Sequence, residues 1–382
     1  MEPRATLRKL WAPIGRTLKR HNLILIWVTR RAITAVAYLL MVLTILFFIF
    51  DIVNPYSPTG PATCASVVPC ASNWWGFVSS MFAGQWGQYM LPSGNNIPTI
   101  TYVSYYLPYT IELSVLALLL SLAIAYPLGL LSGWRPGRYL DGAVRTYTAV
   151  WLFVPVVVIC LFLLLFLYEP FVNYSGDVSS VFGTLPSAAW FDTNLGGTPS
   201  WIGLWGGTSP TGFPLIDAAW NRAWTVEWFI LLKVMLEAAV IALSYVAVFL
   251  RYARNATVEA TRAEFLRGGR ARGVPDRSLL WHHTGRRVIP LYVFTIGNTF
   301  GSLILIQSVV EFLFDSHGLL YVLLFNGGAQ LFGGASSTLQ EPLMVAILFL
   351  IAIALLVVNI VAELVAMVLD PSWLSQKEKG RT

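Results

Sequence analysis

Arg267, Arg270, Arg272, Arg277, Arg286 and Arg287 crowd into one run, LRGGRARGVPDRSLLWHHTGRRVIP, residues 266–290. Guanidinium groups bind phosphates, so taken alone the run reads as a nucleic-acid segment. Leucine, valine and tryptophan interrupt it at intervals, which suits docking on a protein better than tracking a phosphate backbone. Other residues with chemical potential are few. His282 and His283 are adjacent and point to different faces of a helix, which makes them poor metal ligands and a better interfacial pair. Lys233 and Glu237 stand four apart inside an apolar run, on one helical face. They either line a polar pathway or bind a neighbouring subunit, or Lys233 snorkels to the outer headgroups with Glu237 behind it. Cys64 and Cys70 lie close together in TCASVVPC, a spacing open to a metal clip, a disulfide or no bond, and Cys160 sits in an apolar run. No GxxxxGK[ST] phosphate loop, HExxH zinc pair or GxSxG elbow occurs. The expectation is therefore no catalytic, cofactor-binding or metal residue in this chain.

The chain around these residues is 56% hydrophobic and only 12% charged over 382 residues, with 15 tryptophans. Soluble domains carry about 25% charged residues, so this composition expects lipid around much of the surface. A net charge of +6 is small for a nucleic-acid protein of this length. No cleaved leader is expected, because a long basic stretch precedes the first apolar run and no small-residue cleavage site follows. Six windows are long and apolar enough to cross a bilayer, which takes about 20 helical residues. They start at Ala32, Thr110, Thr148, Trp228, Val288 and Leu343. Pro127, Pro155 and Pro290 within them are tolerable kinks.

Lysine and arginine alternate between the connections. Eight fall in the arm through Arg31, none between Asp51 and Tyr109, and three follow the second window. Only Arg222 lies between Tyr168 and Glu227, nine lie between Arg251 and Arg287, none precede the last window, and three follow it. By the positive-inside rule both termini and the arginine run are cytoplasmic. The layout is then a basic arm (1–31), a first span with an outer loop (32–109) and spans two to four with a large outer loop at 169–227 (110–250). A cytoplasmic loop (251–287), spans five and six (288–370) and a tail (371–382) complete it. An outer position for Cys64 and Cys70 favours their disulfide.

The arginine run exceeds what a topology signal needs. RAEFLRGGRARGV and DRSLLWHHTGRRV alternate apolar and basic positions as two short amphipathic helices would. Gly273-Val274-Pro275-Asp276 between them reads as a break and a new start. Two such helices flat under a membrane make a docking surface.

With the basic loop between the fourth and fifth windows, the chain resembles the membrane subunit of ATP-binding-cassette importers. More narrowly it resembles the first permease of the oligopeptide/dipeptide uptake systems. Arg30-Arg31 match that family's paired arginine before the first helix, and Thr110-Ile111-Glu112-Leu113 its opening to the second. PLGLLSGWRPGRYLD matches the exit from that helix. Arg267-Gly268-Gly269-Arg270-Ala271-Arg272-Gly273 align with the cytoplasmic motif arginine-threonine-alanine-arginine-alanine-lysine-glycine. LLWHHTGRRVIP, VVEFLFDSHGLLYVLL and the Asp370-Pro371 ending are also similar to the family. Gly268-Gly269 depart from threonine-alanine, which by propensity loosens the first short helix.

The resemblance implies an all-α integral membrane protein, with six transmembrane helices of the type I importer permease fold, a coupling-helix loop and two large outer loops. It implies half of a translocation pathway for peptides, with oligosaccharides as the alternative cargo, in the plasma membrane. The ATPase-coupling residues would be Arg267, Gly268, Gly269, Arg270, Ala271, Arg272, Gly273, Val274, Pro275 and Asp276. The implied partners are a second homologous permease, two cytoplasmic ATPases that hold ATP and Mg2+, an extracellular substrate-binding protein and lipid, with no nucleic acid. A polytopic membrane enzyme or a secondary transporter are the rivals. The first lacks a polar constellation, and the second usually shows an internal repeat, which this sequence does not.

Overall fold

The computed structural model describes residues 28–49, 67–90, 96–163, 213, 215–217, 224–314, 316, 318–324 and 341–369. Almost all of it is helix. In chain order the elements are α1 (Val28–Phe47), α2 (Val67–Phe82), β1 (Gln88–Met90), β2 (Asn96–Pro98) and α3 (Thr99–Trp134). There follow α4 (Tyr139–Phe153), α5 (Val156–Leu163), α6 (Trp224–Thr261), α7 (Glu264–Ala271) and α8 (Asp276–Leu313). A short α9 (319–324) and α10 (Glu341–Leu369) close the series.

Among the described residues, five helices are long and apolar enough to cross a membrane: α1, α3, α6 from Val234, α8 and α10 from Pro342. The third apolar window does not form one unbroken helix. It is α4 followed by α5, parted at Val154, which is extended (φ −79°, ψ 117°) ahead of Pro155. Proline disfavours helical backbone in the residue before it, and here the helix breaks, whereas α3 continues through Pro108 and Pro127. The helices also outrun their apolar windows. α3 starts at Thr99 rather than Thr110, directly after Pro98, and α6 continues to Thr261.

The expectation of a purely α chain is corrected by a small antiparallel ribbon. Gln88 pairs with Pro98, Tyr89 with Ile97 and Met90 with Asn96. The Thr99 N–H donates to the Gly87 carbonyl at 3.1 Å, so the ribbon leads directly into α3. With three residues a side it is too short to show an alternating pattern in the sequence.

Two compact units emerge, one of residues 1–84 with 349–356 and one of residues 85–348 with 357–382. In the first, α2 packs on α1 through Phe47 and Phe77, whose rings lie 5.6 Å apart, and the Trp74 indole donates to Thr44 at 3.2 Å. Ile33, Val36 and Met41 of α1 are exposed, which suits a helix whose solvent is lipid.

In the second unit, α3 and α6 form the central pair. Gly129 and Gly133 share one face of α3. A Cβ on Gly129 would stand 2.4 Å from the Ala253 Cβ, and one on Gly133 would stand 2.6 Å from the Thr257 Cβ. This is a GxxxG contact, which lets two backbones approach where lipid supplies no hydrophobic drive between helices. The core around it includes Tyr109, Leu113, Ile241, Phe249 and Leu250, all essentially inaccessible. Hydroxyls within the spans turn back on their own helix. Ser121 donates to Ala117 O at 2.6 Å, Thr257 to Ala253 O at 2.7 Å and Thr295 to Leu291 O at 2.8 Å. Such bonds satisfy polar groups where water is scarce.

Candidate functional site

The arginine run forms a compact projection between α6 and α8. Turn bonds from Arg262 N to Glu259 O and from Ala263 N to Ala260 O, both 3.1 Å, end α6. Eight residues of α7 follow, with Glu264 in the first turn and Arg270 in the last, the arrangement that complements the helix dipole. Leu266 is fully buried, while Arg267, Gly268, Arg270, Ala271 and Arg272 are exposed. One apolar anchor thus holds α7 down and its basic face stays open.

The helix is continuous across Gly268-Gly269. α7 continues through both glycines, and its end is closed by Arg272 N on the Gly268 and Gly269 carbonyls at 3.2 Å and Val274 N on Gly269 O at 3.1 Å. Gly269 has a packing role, because a Cβ there would stand 2.7 Å from Leu279 Cδ2. Gly273 takes φ +76°, the left-handed conformation that glycine adopts without a steric penalty. Pro275 then holds extended backbone (φ −65°, ψ 142°) and Asp276 opens the next helix. The predicted break at Gly273–Asp276 is therefore present.

The second short helix expected after that break is not a separate element. Residues from Asp276 run without interruption into α8, through a wider π-type segment at Leu279–Gly285. No residue between Asp276 and Pro290 breaks a helix. Leu279 and Leu280 are buried, which ties the segment to the α3 end through the cluster of Leu130, Leu280 and Val288. The consequence is that α7 is joined through four residues to a continuous 38-residue helix.

Side chains brace α7 from both sides. The Arg270 guanidinium lies over Trp134 at 5.3 Å and contacts Asp276 through Nε at 3.2 Å. Arg287 lies over Phe265 at 5.3 Å. Arg270 and Asp276 are each half exposed, so the pair contributes little energy and acts by orientation. His282 and His283 are both exposed; His283 Nδ1 lies 3.3 Å from Ser278 O. Among the described residues no group of three or more His, Cys, Asp or Glu could hold a metal.

Two polar clusters assemble behind the projection, of whose charges the sequence singled out Glu237. The first centres on Asp141, which is 1% exposed. Arg254 of α6 meets its Oδ1 at 2.5 Å, Arg145 its Oδ2 at 3.3 Å, and the Gly137 N–H donates to Oδ2 at 2.9 Å. The hydrogen bond from Arg254, helped by the Gly137 N–H and by both cationic charges, holds the Asp141 carboxyl below its usual range against the opposing effect of burial. This cluster ties the start of α4 to α6 about two turns before α6 ends at Thr261.

The second lies on the other end of the α3–α6 pair. Glu237 is fully buried and accepts from Tyr109 Oη at 3.0 Å and from Ser316 Oγ at 2.5 Å. That corrects the reading in which Glu237 follows Lys233 outward to the headgroups. A helix face turned to α3 buries it, and Tyr109 and Ser316 supply donors there. Lys233 lies on α6, and its side chain falls outside the described residues. Glu311 accepts from Leu320 N and Tyr321 N, both 3.0 Å, and so caps α9 with its carboxylate. Gln307 donates to Glu311 Oε1 at 2.7 Å and to Thr110 O at 2.9 Å, and Ser114 donates to Gln307 at 2.6 Å. Gln307 and Glu311 stand four apart, the one hint of this cluster available before folding. Glu112 accepts from Leu215 N at 3.3 Å. The pair Cys64 and Cys70 lies outside the described side chains, and Cys160 is free and buried.

An α3–α6–α8 core with an exposed basic helix between two of its spans is the geometry that the family comparison explains. Residues 125–375 match the family described as binding-protein-dependent transport system inner membrane component. The chain belongs to this family. It is a multi-pass membrane permease component of a transport system, and its part in that system is the membrane passage rather than an enzyme's reaction. A probable peptide ABC transporter permease protein of Sinorhizobium fredii is 22% identical over 91% of this chain and 98% of its own length. A probable D,D-dipeptide transport system permease protein of Escherichia coli is 25% identical over 77% of both chains. An oligopeptide transport system permease protein of Bacillus subtilis is 23% identical over 77% of this chain and 78% of that one.

Proposed function

We propose that this permease forms one half of the translocation pathway of an ATP-driven peptide importer, in the type I arrangement of six spans, with α4 and α5 as the third. The names of the relatives, which specify peptides, dipeptides and oligopeptides, support peptide over oligosaccharide as the cargo. Both termini and α7 face the cytoplasm, following the alternation of lysine and arginine. A second, related permease completes the pathway, two ATPases carry ATP and Mg2+, and a substrate-binding protein docks outside.

The observation that carries this reading is α7 itself, basic and exposed on one face, anchored by Leu266 on the other and joined to α6 and α8. A groove on an ATPase that receives residues 267–276 moves both helices when the ATPase pair closes. The work comes from ATP binding differently to the two states of the assembly; this chain transmits it. Purification from the native membrane in mild detergent, with mass spectrometry of the co-eluting chains, tests the assignment. Two ATPases and a second permease are expected. Elution alone would reduce the arginine run to a topology signal.

A further inference from the structure

Beside α7 a cleft of about 470 Å³ opens between the end of α3, the start of α4 and the first turns of α8. Its rim carries Arg135, Arg138 and Arg277, all exposed, and none of the three makes an ion pair with a described residue. The lining also carries one carboxylate, Asp276, which Arg270 already engages at 3.2 Å. Three uncommitted guanidinium groups around an occupied carboxylate leave a net cationic mouth. The walls are apolar: Leu131 and Leu140 are 41% and 40% exposed, and Trp281 is 37% exposed. Trp134 forms the remaining aromatic wall.

This lining matches one class of ligand. A soluble phosphate uses the arginines and leaves the exposed leucines wet. An anionic phospholipid uses both, with its phosphate among the arginines, its glycerol and first methylenes against the leucines, and the indole rings at headgroup level. The cleft lies where α3 leaves its apolar stretch and α8 enters its own, which is where headgroups lie in a chain that spans a bilayer.

We propose that this cleft binds the headgroup of an anionic phospholipid, and that the bound lipid steadies the coupling helix α7. The link to α7 is short. Trp134 lines the cleft with one part of its side chain and supports Arg270 of α7 at 5.3 Å, and Asp276 joins the cleft to the same arginine. A headgroup that fixes Trp134 and draws Arg277 inward narrows the positions open to Arg270. The proposal rests on the transporter reading above for its functional consequence, whereas the lipid site stands on the cleft alone.

The test uses the whole purified transport complex and its Arg135→Gln/Arg138→Gln variant, neither residue belonging to the coupling motif. Native mass spectrometry after exposure to phosphatidylglycerol reads binding directly. Each arginine near an anionic surface is worth about fivefold, so the variant should hold the lipid roughly twenty- to thirtyfold more weakly. In vesicles of phosphatidylcholine with phosphatidylglycerol, wild-type ATP-driven uptake should exceed that in phosphatidylcholine alone, and the variant should lose this gain. Equal lipid retention by both proteins overturns the proposal. Displacement of the lipid by inorganic phosphate at millimolar concentration, with uptake unchanged, would assign the site to free phosphate and also overturn it. Loss of the ATPase subunits from the variant would place these arginines in the ATPase interface and overturn it as well. Lipid binding without any uptake would leave the cleft intact and count against the importer reading instead.

Discussion

The two ends of the α3–α6 pair are both polar and are built on opposite rules. On the α7 projection itself the charges are exposed and loosely held, with Arg270 and Asp276 each about half accessible, whereas Asp141 behind it is buried against Arg254. At the other end Glu237, Gln307 and Glu311 are fully buried, and each has hydrogen-bond partners on neighbouring elements. A buried carboxylate without donors is costly, so the second end locks α3, α6, α8 and α9 together. Exposed guanidinium groups are cheap to leave unpaired in water, so the first end can wait for a partner. The contrast accords with the proposed entry of motion through α7. A lever needs a firm fulcrum, and the polar lock supplies one at the far end from the projection.

The comparison can be broken first at the joint between the ends. Gly129→Leu forces a side chain into a space already filled by Ala253, and a loss of about 3 kcal/mol or more is expected. Heated detergent samples followed by gel filtration should show earlier aggregation, and Gly129→Ala should show a smaller shift in the same direction. Next comes the lock. Glu311→Ala removes the acceptor of the Leu320 and Tyr321 amides, at a cost of about 2–3 kcal/mol. Hydrogen exchange at those two amides should quicken, and Glu311→Gln, which keeps an acceptor oxygen, should restore most of the protection.

Asp141→Asn is expected to cost less, about 1–2 kcal/mol, because Arg254 keeps some access to water. Its pH signature is specific. The folded carboxyl is depressed, so its contribution is complete above the ordinary aspartate range and is lost as pH falls through the depressed value. Wild-type stability should therefore drop on acidification more than that of the asparagine variant, measured by melting across acid pH. The smallest effect belongs to Gly273→Ala, about 1 kcal/mol from placing a Cβ at positive φ. Its fold should survive while coupling suffers, which would separate the hinge from the lock.

Much of this was legible before folding, for physical reasons that differ by element. The spans show in the sequence because lipid demands long apolar runs, and the α7 projection shows because arginine and Gly273-Val274-Pro275-Asp276 punctuate it. The continuity of Asp276 into α8 was missed, since an amphipathic segment next to a span has the same pattern whether or not it is hinged. The start of α3 was read eleven residues late, because TITYVSYYLPY mixes hydroxyls with apolar residues. The burial of Glu237 could not be decided between the open readings, since its partners Tyr109 and Ser316 are 128 and 79 residues away. The Asp141–Arg254 contact spans 113 residues and likewise belongs to tertiary structure.

The most direct test of the central claim reverses the charge of α7 and stiffens its hinge at once. Arg270→Glu with Gly273→Pro, assembled with its partners in vesicles, should keep the complex in the membrane and abolish peptide uptake, with ATP hydrolysis no longer tied to transport. Normal uptake by that double variant would contradict the account.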